Sequence, residues 1–286
     1  MFPDNHDTKN GDSHICISDL RDDQRLSGMA YARNPRMDIV FLYTANESHN
    51  ETYRNGRTPR EIRAMETVAA YYGLPSVNFA QVVAQRLAGG EFDWLNDFGG
   101  VHPALFGNRI YATMIGELFG ALEKQGKTKR KCPRALLDSD SLIHAHFLAP
   151  STARYDENWT LGIPDWERLP GEKRARYTSL PTLFTETPGA ELFLEFSGSA
   201  IGLFLTAGPD AGMVEYSIDG GRFRSADLYH FYSAGLHYPR TKMLAGTLSR
   251  GKHSLILRVS EKHNGKSSGS AVRIIAFAEN SPEALQ

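Results

Sequence analysis

The chain has 286 residues, which on ordinary domain sizes suggests two domains. A hydrophobic content of 41% suits ordinary cores, and a net charge of −1 gives no global field that would draw nucleic acid or an anionic membrane. No apolar run reaches the roughly 18 residues needed to span a bilayer.

The first fourteen residues have no basic segment followed by an apolar one, so no signal peptide is visible and the compartment stays open. Gly11-Asp12-Ser13 follows a segment with no apolar run. A serine nucleophile needs a strand-to-helix turn to expose its oxygen. Ser13 lacks the strand and reads as a surface turn serine. Asp38 to Tyr43 is nearly all apolar, as a strand buried on both faces would be. A polar loop is expected from Thr44 to Arg57. It leaves the carboxyl end of that strand, where α/β sheets place their ligands. Asn46, Glu47 and His49 are therefore either cleft-lining residues or part of a solvated loop. Thr58-Pro-Arg-Glu61 reads as a capping box with Pro59 at the first helical position. Ile62, Met65, Val68 and Ala69 then share one face, and Gly73 and Pro75 end the helix. A short strand follows, Leu74 to Asn78. Asn78 caps a helix carrying Phe79, Val82, Val83 and Leu87, which ends at Gly89-Gly90. Strand–helix–strand–helix predicts an α/β fold with a parallel sheet.

The segment Phe98 to Gly107 runs straight into a longer helix. Pro103 suits its first position, and Leu105, Ile110, Met114, Ile115, Leu118, Phe119 and Leu122 form one apolar stripe before Gly126 stops it. His102 is thus held where loop meets helix. A helix N-terminus disfavours added positive charge, which biases the imidazole toward its neutral, base-competent form. A general base is one reading of His102, and a helix-capping residue is the other.

The block from His102 to Ile115, with proline directly after the histidine, resembles the closing block of SGNH (GDSL-type) hydrolases. The resemblance extends from Ile39 to Leu122 and corresponds to the C-terminal half of that catalytic domain. It implies a serine esterase in which His102 is the catalytic base. The family places an aspartate three residues before that histidine. Gly99 stands there in this chain, so the nearest acid, Asp97, is the candidate orienter. The family's serine lies in a Gly-Asp-Ser motif after the first buried strand, a context that Gly11-Asp12-Ser13 lacks. The family's sheet has about five parallel strands, each strand–helix unit taking roughly 30 residues. Only two strands are expected between Ser13 and His102. The first domain is therefore expected to lack its N-terminal half, as a truncated or a degenerate relative would. Thr44-Ala-Asn-Glu47 partly resembles the family's Gly-x-Asn-Asp block, but the run from Arg33 to Met37 looks like the approach to the following strand. Asn46 is not assigned as an oxyanion donor.

Cys16 and Cys132 are the two cysteines, far apart and without a CxxC motif, and read as free or buried thiols. His144-x-His146 sets two imidazoles on one strand face with no third ligand evident, so neither a metal nor any other cofactor is expected. Lys127 to Arg134 is a basic run without the interleaved aromatics of a nucleic-acid patch. The stretch to about residue 185 is rich in Pro, Arg, Asp and Ser and reads as a connection. Asn158-Trp-Thr160 is a glycosylation sequon in form only.

From Glu191 the period changes to two. Leu192, Leu194 and Phe196 alternate with Glu191, Phe193 and Glu195. Strands are expected at Ala200–Ala207, Met213–Asp219, Arg222–Leu228, His253–Ser260 and Val272–Ala278, with a hairpin turn at Asp219-Gly-Gly221. This pattern predicts an antiparallel β-sandwich. The segment resembles the jelly-roll-like accessory domains attached to carbohydrate-active enzymes. Tyr229, His230, Phe231, Tyr232, His237 and Tyr238 cluster in an irregular stretch, either as a sugar platform or as a loop pinned to an interface.

The resulting organisation is an α/β domain over residues 1–126, a connection over 127–185 and an all-β sandwich over 186–286. The resemblance implies hydrolysis of esters, including acetyl groups on polysaccharides. The alternatives are a non-catalytic relative or fragment whose sandwich binds carbohydrate or a protein partner, and a structural module without a ligand.

Overall fold

The computed structural model describes residues 34, 37–126, 133 and 135–282. Gly11-Asp12-Ser13, Cys16 and Cys132 lie outside the described residues. The chain divides between Ile143 and His144 into two compact units.

In the first unit, β1 (Phe41–Leu42) pairs in parallel with β2 (Ser76–Val77), Phe41 opposite Ser76 and Leu42 opposite Val77. The apolar run Asp38–Tyr43 thus forms a much shorter strand than its composition predicts. Leu42 is exposed, so burial on both faces does not hold among the described residues. The expected polar loop contains a helix, α1 (Glu47–Arg54). It carries no apolar stripe and is signalled only by its ends. The Asn46 side chain accepts the His49 N–H at 2.8 Å, Glu47 lies in the first turn, and Arg54 lies in the last, as the helix dipole favours.

Helix α2 (Arg60–Tyr72) starts one residue later than expected, with Pro59 at the cap and no side-chain capping bond. The predicted capping box does not form because the Glu61 carboxylate turns to His49 instead, 2.6 Å away. Gly73 ends the helix in the left-handed region, at φ 62°. Helix α3 (Phe79–Ala88) is capped as expected, with the Asn78 side chain accepting the Gln81 N–H at 3.0 Å. Ile62, Ala80, Val83, Phe98 and Ile110 form one apolar cluster, and Val68, Ala69, Tyr72 and Leu74 form a second. Helix α4 (Leu105–Gln125) buries only Gly107 and Ile110. Its expected stripe is uncovered further along: Phe119 is 60% exposed and Leu118 and Leu122 are half-buried.

The second unit is a two-sheet antiparallel sandwich. The stretch that reads as a connection supplies β3 (Ala145–Leu148), β4 (Arg154–Tyr155), β5 (Thr160–Gly162) and β6 (Thr182–Thr185). These strands span two to four residues, too short for a period-two pattern to show. The remaining strands are β7 (Glu191–Ser197), β8 (Ile201–Ala207), β9 (Met213–Ile218), β10 (Arg224–Asp227), β11 (Tyr238–Ala245), β12 (Lys252–Val259) and β13 (Val272–Asn280). One sheet runs β10-β9-β12-β7-β4. The other runs β11-β8-β13-β6-β5, with β3 also on β13. The aromatic stretch from Tyr229 stays irregular apart from a short helical turn at Phe231–Ala234, and β11 begins at its last aromatic, Tyr238.

Leu192, Leu194 and Phe196 point into the core while Glu195 between them is exposed, the alternation that the sequence shows. They meet Leu203, Leu205, Leu255, Leu257, Ile274 and Phe277 in one continuous cluster. At the β9–β10 hairpin, Asp219 (φ 53°) and Gly220 (φ 68°) both take the positive φ that a tight primed turn requires. One buried charge is matched: Arg273 donates to both carboxylate oxygens of Asp210, at 2.8 and 2.7 Å, and to Glu186 at 3.0 Å. Burial works against the Asp210 carboxylate, but the Arg273 bonds outweigh it and hold its pKa below the usual range.

Candidate active-site loop and its histidine

His102 is carried by a loop whose shape is set by an acid turn, an aromatic nest and two glycines. The turn comes first. The Asp93 carboxylate accepts the backbone N–H groups of Asn96 and Leu95, at 2.7 and 2.9 Å. These bonds, Asn96 before Leu95, hold its pKa low. The Asp93 carbonyl accepts the Phe98 N–H at 3.0 Å. The Asp97 carboxylate closes the turn by accepting the Asp93 N–H at 2.7 Å. Among the described residues no hydrogen bond joins Asp97 to His102. The acid expected beside the imidazole is spent on its own turn.

The nest centres on Phe98, which is fully buried. Its ring stacks on Trp94 at 5.0 Å and on Phe92 at 5.8 Å, and meets Tyr111 edge-on at 5.8 Å. Tyr111 stacks in turn on Phe79 at 4.1 Å, and its hydroxyl accepts the Ala45 N–H at 3.0 Å. Helix α4 is thereby tied to the turn that follows β1. Burial raises the Tyr111 pKa, so the phenol stays protonated.

The glycines let backbone approach backbone. Gly99 has φ +94°, and a Cβ there would lie 2.5 Å from the Ala104 nitrogen. That nitrogen donates to the Phe98 carbonyl at 2.7 Å. A Cβ on Gly107 would lie 2.9 Å from the Phe98 ring, the Phe98 carbonyl and Pro103. Gly99 is thus the residue that this loop needs for its close approach.

Helix α4 is capped at Ala104, without a side-chain bond. Pro103 precedes the helix rather than opening it, and its carbonyl accepts the Asn108 side-chain N–H at 2.8 Å. His102 is therefore three residues ahead of the first helical residue. Its side chain is exposed on a loop otherwise fixed from within. Exposed Leu95, Val101, Leu105 and Phe106 belong to the same loop and helix start.

The residues after β1 serve the fold. Asn46 caps α1, and the Asn46 side chain also accepts the Ser48 hydroxyl at 2.9 Å. His49 is buried, with Nδ1 3.0 Å from the Thr44 carbonyl and Nε2 2.6 Å from Glu61. Both ring nitrogens face acceptors, so the ring clamps the β1–α1 turn to α2. The hydrogen bond from His49 is the main reason the Glu61 pKa is lowered.

In the sandwich, His146 Nδ1 is 3.1 Å from the His144 carbonyl, and Nε2 lies 2.9 Å from Glu279 without the alignment of a hydrogen bond. His144 donates its backbone N–H to Asn280 at 3.1 Å. No group of three metal-ligating side chains occurs among the described residues, and none of their helices is long and apolar enough to cross a membrane.

Two solved structures share this fold. One is a two-domain esterase active on acetylated mannans, co-crystallised with mannopentaose; it is 12% identical, with a TM-score of 0.68 over 92% of this chain and 67% of that one. A second structure of a two-domain esterase active on acetylated mannans is 14% identical, with a TM-score of 0.67 over 94% of this chain and 70% of that one. At these identities the likeness establishes the fold. No family model and no curated protein matches the chain.

The Asp93 turn, Phe98 and the paired roles of Gly99 and Gly107 were not singled out from sequence. Their signal was there in part: two aspartates four apart and two adjacent glycines inside an aromatic-rich segment.

Proposed function

We propose that the chain is an SGNH-type hydrolase of carbohydrate esters, acetyl esters first among them, with His102 as the general base. The observation that carries this reading is the placement of His102. It is exposed at the head of α4, on a loop fixed from within by Phe98, Gly99 and Gly107. The shared fold with esterases active on acetylated mannans supports the choice of substrate class.

In the proposed reaction, His102 takes the proton from a serine hydroxyl as its oxygen attacks the ester carbonyl, returns it to the sugar oxygen as the acyl–oxygen bond breaks, and then takes a proton from the water that frees acetate from the acyl-serine. Backbone N–H groups stabilise the oxyanion. Asp97 acts as a positioning residue, because its bond to Asp93 N–H fixes the turn that leads to His102. Acetate release from acetylated mannan tests the reading. The wild-type chain should release acetate, and His102→Ala should lower the rate at least about 100-fold with unchanged circular dichroism. Equal rates in the two would remove His102 from the mechanism.

A second reading, a non-catalytic relative, is favoured by one observation: Asp97 is bonded to Asp93 rather than to the imidazole. It predicts no acetate release from the wild-type chain.

A further inference from the structure

We infer that the turn Phe231–Ala234 in the sandwich is a stacking platform for a neutral pyranose chain. Phe231 is 82% exposed and Tyr232 is 53% exposed, the former more than any other large hydrophobic side chain among the described residues. Yet the turn that carries them is firmly held. The His230 ring accepts the Tyr232 N–H at 3.2 Å, and the Ser233 hydroxyl accepts the His230 N–H at 3.0 Å. Ser233 is fully buried, and its hydroxyl donates to the Ala207 carbonyl at 2.9 Å, anchoring the turn to the end of β8.

The rings are ordered among themselves. His230 stacks on Tyr238 at 4.5 Å, with an interplanar angle of 16°. Tyr232 leans on both, at 5.4 and 5.2 Å, and Phe231 meets Tyr232 edge-on at 5.3 Å. An exposed ring on a fixed backbone loses little freedom when a ligand arrives, so more of the contact energy survives as affinity.

The chemistry of the rim selects the occupant. The apolar C–H face of a pyranose stacks on an aromatic ring, while its hydroxyls need donors and acceptors at the ring edges. Tyr232, 53% exposed beside the Phe231 ring, carries such a polar edge.

The platform lies in the sandwich and does not depend on the catalytic reading of His102. Affinity electrophoresis of the full chain in soluble mannan, xylan and β-glucan tests it. Retardation is expected in at least one, weakened tenfold or more by Phe231→Ala and retained by Phe231→Trp. Because Phe231 is exposed, neither variant should lower the melting temperature. The inference is overturned if the wild-type chain is retarded by none of the three or if Phe231→Ala binds as well. It is also overturned if light scattering shows a dimer that Phe231→Ala dissolves, which would make the patch a self-association surface. His102→Ala separates the two readings: loss of acetate release with binding intact assigns the platform and the base independently, and binding without acetate release in the wild-type chain leaves the platform standing alone.

Discussion

The sandwich gathers its apolar side chains into one continuous core, whereas the first unit divides them between two smaller clusters. In the sandwich, both sheets send alternate side chains into one continuous cluster. In the α/β unit, two smaller clusters share the work, and in the second half of α4 Phe119 is 60% exposed while Leu118 and Leu122 are half-buried. The difference shows what each region optimises. The sandwich is stabilised by uniform burial. The α/β unit concentrates its best packing at one point, the aromatic nest beneath the His102 loop.

Substitutions can sharpen this contrast or break it. The largest effect is expected from Phe277→Ala, which empties a fully buried position where two sheets interlock; it should cost about 3–5 kcal/mol in urea unfolding of the sandwich. Phe98→Ala should cost about 3 kcal/mol, the low end of that range, because Phe98 belongs to a smaller apolar cluster than Phe277. It should also lower any His102-dependent activity, since the ring beneath the loop is lost. An equal or greater loss at Phe98 would show that the α/β unit is packed as tightly as the sandwich. Gly99→Ala should cost about 1–3 kcal/mol, because the residue has φ +94° and its Cβ would meet the Ala104 nitrogen. A crystal structure of that variant should show the His102 loop displaced; an unmoved loop would mean the close approach is not what fixes it.

The smallest effect concerns pH and the sandwich alone. His253 Nδ1 lies 2.6 Å from Asp219, and Nε2 lies 2.7 Å from the Ser249 carbonyl. Burial works against the His253 charge, but these two acceptors outweigh it and raise its pKa above 6.5. The same contact, with the Ser254 N–H, lowers the Asp219 pKa below 3.8. The raised histidine contributes stability that is full below its unfolded pKa and lost as pH rises through the folded value. The lowered aspartate contributes stability present above its unfolded pKa and lost as pH falls through the folded value. The pair therefore stabilises the hairpin most between about pH 4 and 6.5. Melting curves of wild type and His253→Gln should differ most in that window and converge on either side; a constant difference across pH would leave the pair without a role.

The same contrast explains what could be read from the chain. Strands β7, β9 and β12 were legible because alternation and turn glycines are local signals. The short strands β3 to β6 were not, because two to four residues cannot display a period, and β3, β4 and β6 pair with β13 or β7 far along the chain. Helix α1 was hidden for a different reason: it has no apolar stripe, and its burial of His49 depends on Glu61 in the next helix. His102 and its loop-to-helix setting were visible from sequence. The bond made by Asp97 was not, because it depends on the backbone geometry of the turn from Asp93 to Phe98.

The central claim is that His102 activates a serine. It is tested most directly by labelling the purified chain with a fluorophosphonate and locating the adduct by mass spectrometry. One labelled serine is expected in the wild-type chain, and loss of that label in His102→Ala. Absence of any labelled serine in the wild-type chain, or a label that persists without His102, would contradict it.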